Sequence, residues 1–177
     1  CLIRGNLSYV GGGAAVKQNG ILRNCTVVGN RAIIDVEKHQ TGGYGGGVYL
    51  LGGSIENTVF WDNTSERVGY DGEPEWYGST RTDFLRCALP AGVATNQYTG
   101  GDFIQPSDPR FRDAAGGNFR LLRASPLVNA GTNLTYTAAD LDLDRRPRIF
   151  NFGGRSGIVD IGCYEAQVLD STLIMIR

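Results

Sequence analysis

Three stretches decide the reading of this chain: Cys1-Leu-Ile-Arg-Gly-Asn6, Cys25-Thr-Val-Val-Gly-Asn30 and Thr58-Val-Phe-Trp-Asp-Asn63. Each begins as a run of apolar or β-branched residues and ends on Asn, the pattern of a short strand running into a tight corner. Upstream of the second and third, Asn19-Gly20-Ile21-Leu22-Arg23-Asn24 aligns with Gly52-Gly53-Ser54-Ile55-Glu56-Asn57. Further upstream, Gly11-Gly-Gly-Ala-Ala-Val16 aligns with Gly45-Gly-Gly-Val-Tyr-Leu50. The three blocks keep their order, and only the joining loops change length, chiefly over residues 31–44. Repetition of this kind predicts a stack of coils, each pairing with its neighbours alone.

The fold expected is all-β: coils of a right-handed parallel β-helix, a solenoid, followed by an irregular β-rich C-terminal cap. Stacked coils bring equivalent residues to about 4.8 Å, the spacing of neighbouring strands. Identical side chains then form columns. Asn6, Asn30 and Asn63 make one expected Asn ladder and Asn24 with Asn57 another, each bonding along the stack. Leu22 over Ile55, and Ile3 over Val27 over Phe60, are the expected apolar columns. Arg23 and Glu56 fall outside as neighbours of opposite charge. Cys1, Cys25 and Thr58 are placed inward, which sets Cys1 and Cys25 one coil apart as a candidate disulfide or as two small buried thiols. An antiparallel sandwich would show short strands too, but does not require three kinds of block in one fixed order.

Composition agrees. Glycine contributes 26 of 177 residues, about twice the usual share of ~7%, which argues against a helical bundle. Gly does not recur every third residue, which excludes a collagen-like chain. With 17 Lys and Arg against 18 Asp and Glu, the net charge is −1, so nothing points to nucleic acid or to an anionic membrane. The longest apolar stretches fall far short of the roughly 18 residues of a membrane span. The chain opens on Cys1 without a recognisable signal peptide, as expected of a mature or truncated piece. The four cysteines, Cys1, Cys25, Cys87 and Cys163, form no CxxC pair, so a zinc site is not expected. Four sequons place candidate glycosylation at Asn6, Asn24, Asn63 and Asn133.

Beyond the coils the repeat fades. The expected organisation is coils over 1–67, a long loop over 68–82, a β-rich cap over 83–166 that continues the solenoid and closes its end, and a tail strand over 167–177. In the second half, DPRFRDAAGGNFRLLRASPLVNAGTN (108–133), DLDLDRRPRI (140–149) and VDIGCYE (159–165) together resemble the C-terminal region of the choice-of-anchor family of bacterial surface β-helices, proteins similar to pectin lyases. The resemblance spans residues 83–165. It implies a secreted or cell-surface protein, with no single activity attached. The sequence departs from the family at Asp144-Arg145-Arg146, where members commonly carry Gly after the Asp.

Few residues carry chemistry by pattern. Asp140, Asp142 and Asp144 form a D-x-D-x-D run, a candidate Ca²⁺ site if the segment is extended, though without the Gly and Glu of an EF-hand loop. Trp61, Tyr70, Trp76 and Tyr77 cluster in or beside the long loop, where exposed rings would stack on sugars or anchor a partner. Carboxylates such as Asp62, Glu66, Glu73 and Glu75 follow the third coil, but no spacing fixes an acid/base pair, and no catalytic residue is assigned. No G-x-S-x-G, GxGxxG or P-loop is present. The expected function is a structural or adhesive module that displays loops and self-associates end to end or by strand addition through the apolar tail (171–176). Two alternatives stand beside it: a carbohydrate-active lyase or hydrolase with its groove mostly upstream, and a module that binds surface polysaccharide through the aromatics.

Overall fold

The computed structural model describes residues 1–38, 41–67, 75–78, 83–93, 101–137, 139–150 and 157–167. Tyr70, Glu73, most of the long loop and the tail strand expected over 171–176 lie outside these residues. Among the described residues there is no helix, and the strands are short.

Four parallel sheets account for most of the pairing. The largest joins Leu2–Arg4, Thr26–Val28, Val59–Trp61, Cys87–Ala88 and Phe103–Ile104, in that spatial order. The second joins Leu7–Ser8, Arg31–Ala32 and Thr64–Ser65. The third joins Ala14–Lys17, Val48–Leu51 and Trp76–Gly78, and the fourth Ile21–Arg23, Ser54–Glu56 and Asp83–Leu85. Along the chain the sheets are visited in the same order: first, second, third, fourth, then the first again. The register is that of the aligned blocks: Ile3 lies beside Val27 and Val27 beside Phe60, and Leu22 beside Ile55. The extra residues of the second round fold into a small antiparallel pair, Ile34–Asp35 with Thr41–Gly42, outside the sheets.

The corners are set by backbone that few residues adopt. Asn24, Asn57 and Arg86 occupy the left-handed region with φ of 48°, 47° and 51° at one corner, and Gly5, Gly29 and Asp62 with φ of 63°, 61° and 54° at the next. Gly and Asn enter this region at low cost. Asp62 and Arg86 hold it where the repeat has lost its Gly or Asn.

Alternation along the strands divides the apolar residues between two cores. Val27, Val48, Leu50, Ile55, Phe60, Trp76, Phe84 and Leu89 point into the space enclosed by the sheets. Val59, Ala88, Leu121, Leu127 and Ile161 form a second cluster on the outer face of the five-stranded sheet, with Trp61 and Ile104 beside them. This is why Thr26, Val27 and Val28 are all buried: each face of that sheet is covered.

What covers the outer face is the C-terminal segment, and here the structure differs from the cap expected over the end of the stack. The antiparallel pair Phe111–Asp113 and Asn118–Leu121 reaches back to the first strand, where Arg4 donates to the Gly117 carbonyl (3.2 Å) and lies over the Phe119 ring. Asn57 donates to the Thr132 carbonyl (2.8 Å) and accepts from the Thr132 amide (2.9 Å). The Gly162 amide donates to the Asn57 carbonyl (2.9 Å), and the Cys163 amide to the Thr26 hydroxyl (3.2 Å). The physical reason is the apolar outer face itself: Val59, Ala88 and Ile104 cannot be left in water, so the segment lies along the outer face of the five-stranded sheet.

Candidate functional site

The Asn column is continuous. Asn6 Nδ2 donates to Asn30 Oδ1 (3.0 Å), and Asn30 Nδ2 donates to Asn63 Oδ1 (2.9 Å). Each Oδ1 also accepts the backbone amide of the Asn one round earlier, at 3.0 Å. The remaining amide protons reach the Ile3 and Val27 carbonyls. Every polar atom of the buried members is therefore partnered within the stack, as burial of amides demands. The glycine blocks make room for it. A Cβ on Gly13 would meet the Gly47 carbonyl oxygen at 2.6 Å and Asn30 Nδ2 at 2.9 Å, and one on Gly47 the Glu75 carbonyl oxygen at 2.5 Å and Asn63 Nδ2 at 3.0 Å.

The column ends on Glu75, which the sequence did not single out. Trp76 pairs with Val48, so Glu75 takes the place that Gly47 holds one round earlier. Its side chain fills the space of a further Asn and accepts from Asn63 Nδ2 (2.5 Å). Burial raises the Glu75 carboxyl to about 7, with a smaller push from Asp62, against the lowering effect of the Asn63 hydrogen bonds. Beside it lies an open cavity of about 630 Å³ lined by Trp61, Asp62, Asn63, Thr64, Glu75 and residues 90–93. A buried carboxyl that titrates near neutrality, a second carboxyl, strained backbone at Asp62 and a half-buried Trp ring thus share one groove. The missed signal was positional: Glu75 is the residue at which the Gly column breaks.

The aromatics divide. Trp76 is not available to a ligand: it is fully buried and packs on Phe84 and Phe103 at 5.3 and 5.7 Å between ring centroids, because its strand position points inward. Tyr77 points outward and stacks with Tyr49 (5.7 Å), with Tyr44 at 4.4 Å and the Arg67 guanidinium over the Tyr44 ring. This outer group of Tyr44, Tyr49 and Tyr77 extends the aromatic face beyond the residues named from sequence. Trp61 lies on a different face, at the edge of the flank core. Tyr70 lies outside the described residues.

The second Asn pair contributes less along the stack. Asn57 Nδ2 donates to Asn24 Oδ1 (3.3 Å), which also accepts from the Tyr136 hydroxyl (2.5 Å), so this pair serves mainly to hold the flank. Arg23 and Glu56 form an ion pair outside the coil.

The three aspartates are not brought together. Asp140 accepts from the Thr137 amide (2.6 Å) and hydroxyl (3.0 Å). Asp142 is buried and accepts from the amides of Asp144, Arg146 and Glu165, each at 2.8 Å. Asp144 is gripped by Arg120 through two bonds, at 2.6 and 2.5 Å. Among the described residues no group of three or more His, Cys, Asp and Glu side chains gathers as a metal site. Asp142 is a turn-former, a role its alternating spacing disguised.

Nor are the cysteines bonded. All four are free thiols. The Cys1 amino group lies 3.5 Å from the Cys25 sulfur, but Cys1 itself is exposed. Burial pushes the Cys87 thiol to about 12 and raises Cys163 as well, so neither offers a reactive thiolate. Of the sequons, Asn24 and Asn63 are buried, which corrects the expectation of glycans there in the folded chain: an amide nitrogen inside the stack has no space for a sugar. Asn6 is exposed and Asn133 half-buried, donating to the Gly157 carbonyl (2.8 Å).

No family model matches the chain, and no curated protein and no solved structure matches it either.

Proposed function

We propose that this chain is a stretch of right-handed parallel β-helix from a secreted or cell-surface protein of the choice-of-anchor kind, and that its work is structural and adhesive. Right-handedness follows from the rule for crossovers between parallel strands. The observation that carries the reading is the Asn column: Asn6, Asn30 and Asn63 bond only along the stack, with Glu75 at its end. Such a column adds rigidity and register, which a scaffold needs. The outer face of Tyr44, Tyr49 and Tyr77 is the surface this scaffold offers to a polysaccharide or to further copies of the protein. Negative-stain electron microscopy of native material, paired with affinity electrophoresis through polysaccharide gels, tests this. Filaments, or retardation lost on Tyr49→Ala with Tyr77→Ala, are expected. Discrete particles that migrate freely through every gel would contradict it.

A second reading rests on the Glu75 groove. A carboxyl raised to about 7 beside Asp62 and Trp61 has the character of the general acid of a glycoside hydrolase, with Asp62 as base or nucleophile. Its test is reducing-sugar release from a polysaccharide panel, abolished by Glu75→Gln and by Asp62→Asn. A wild-type chain that releases nothing from any member of the panel ends this reading.

A further inference from the structure

A second cavity, of about 460 Å³, opens on the C-terminal flank, away from the Glu75 groove. Its wall carries four arginines, Arg112, Arg120, Arg123 and Arg146, and one carboxyl, Glu165. The chain as a whole carries a net charge of −1, so this is a local concentration of positive charge and not a reflection of composition. Arg120 is fixed in place: Asp144 holds its guanidinium on one side, and the Tyr164 ring lies 4.5 Å from it. Arg112, Arg123 and Arg146 are exposed at the rim.

Glu165 distinguishes the cavity from an ordinary basic patch. Its side chain is 3% exposed. Oε1 accepts the Asp160 amide (2.5 Å), while Oε2 is buried and has no hydrogen-bond partner. The Arg148 guanidinium stands 3.8 Å from Oε2, beyond hydrogen-bond reach, and is spent on the Gly162 and Cys163 carbonyls. Burial, with the Asp160 carboxylate beside it, raises Glu165 to about 9. At neutral pH this part of the wall therefore carries a neutral carboxyl and not a negative charge that would cancel the arginines.

We propose that this cavity binds an oxyanion, the carboxylate or sulfate group of a small ligand. Guanidinium forks match planar and tetrahedral oxyanions with paired hydrogen bonds, and a neutral carboxyl in the wall does not repel them. The volume suits a ligand of sugar size.

The test is isothermal titration calorimetry on the whole chain at constant ionic strength in chloride, with sodium sulfate, glucuronate and uncharged glucose as probes. Saturable binding of glucuronate and sulfate, and none of glucose, is expected. Arg112→Ala with Arg123→Ala weakens binding by at least about tenfold with an unchanged circular dichroism spectrum, and Arg146→Ala serves as an independent single change. Glu165→Gln, which leaves this part of the wall uncharged, retains binding. Sulfate binding without glucuronate binding supports the site and assigns it to the free ion. A linear, unsaturable response equal to that of chloride, or wild-type affinity in the arginine variants, would overturn the proposal.

Discussion

The space enclosed by the four parallel sheets and the flank that covers the largest of them are built on different principles. Inside, one residue type answers to itself: Asn bonds to Asn, and Ile3, Val27 and Phe60 stack in register. On the flank nothing repeats. Arg148 clamps two carbonyls, Asp142 gathers three amides, and Asp160 spans the amides of Asn129 and Ala166 at 2.7 and 2.6 Å. Repetition needs only short strands and correct corners. The unique network must bury charge, and it keeps that charge only because each group is satisfied or protonated.

The sharpest way to break this comparison is to cut into each core. Phe60→Ala removes a fully buried ring from the coil interior and should cost about 4 kcal/mol, with Leu127→Ala in the flank core costing about 3 kcal/mol. Urea unfolding followed by fluorescence reads both. If coils and flank form one cooperative unit, both variants shift a single transition. Two separate transitions, with Leu127→Ala moving only one, would make the flank an independent unit. Asn57→Ala addresses the joint between them. It strips Thr132 of both its bonds and leaves Asn24 Oδ1 with the Tyr136 hydroxyl alone, at a cost of about 3 kcal/mol. Gly47→Ala tests the coil alone: its Cβ would strike the Glu75 carbonyl and the Asn63 amide, and strain of this kind costs about 2 kcal/mol.

A pH series separates the regions without cutting either. Glu75 titrates at about 7 and Glu165 at about 9, both above the ordinary 4.5. The native state therefore holds protons that the unfolded chain gives up. Their contribution to stability is complete below about pH 4.5 and is lost as pH rises through 7 and then 9. The urea midpoint should fall from acid to alkaline pH. Glu75→Gln should reduce the fall below neutrality only, and Glu165→Gln should reduce it below neutrality and remove it above. A midpoint that rises over this range would contradict both assignments. The smallest effect expected is that of calcium. With Asp140, Asp142 and Asp144 each committed elsewhere, millimolar Ca²⁺ should leave the melting temperature within about 1 °C of its value in chelator, since only a ligand that binds the native state raises it.

The same contrast explains what could be read from the sequence. The residues that the repeat aligns are the residues that pair, because the parallel sheets are visited in one order while only the loops between them change length: Leu22 with Ile55 and Asn30 with Asn63 are visible as identities or near-identities 33 residues apart. Trp76 misled because a loop-like neighbourhood hid a strand whose alternation turns the indole inward. Glu75 stood only as one of several loop carboxylates for the complementary reason: its role comes from an absence, the missing Asn of the next round. On the flank, Arg120 finds Asp144 and Tyr136 finds Asn24 across 24 and 112 residues. No period connects those positions, so nothing local records the contact. The D-x-D-x-D run shows the limit of spacing arguments, which assume extended backbone where the chain in fact turns.

Successive rounds of chain lie parallel and in register, tied by one Asn column. Nuclear Overhauser contacts on the native protein test it directly. Backbone contacts should connect Ile3 with Val27 and Val27 with Phe60 in the parallel pattern, and side-chain amide contacts should run from Asn6 to Asn30 to Asn63. Antiparallel contacts between these strands, or Asn30 and Asn63 amides with no contact to each other, would contradict it.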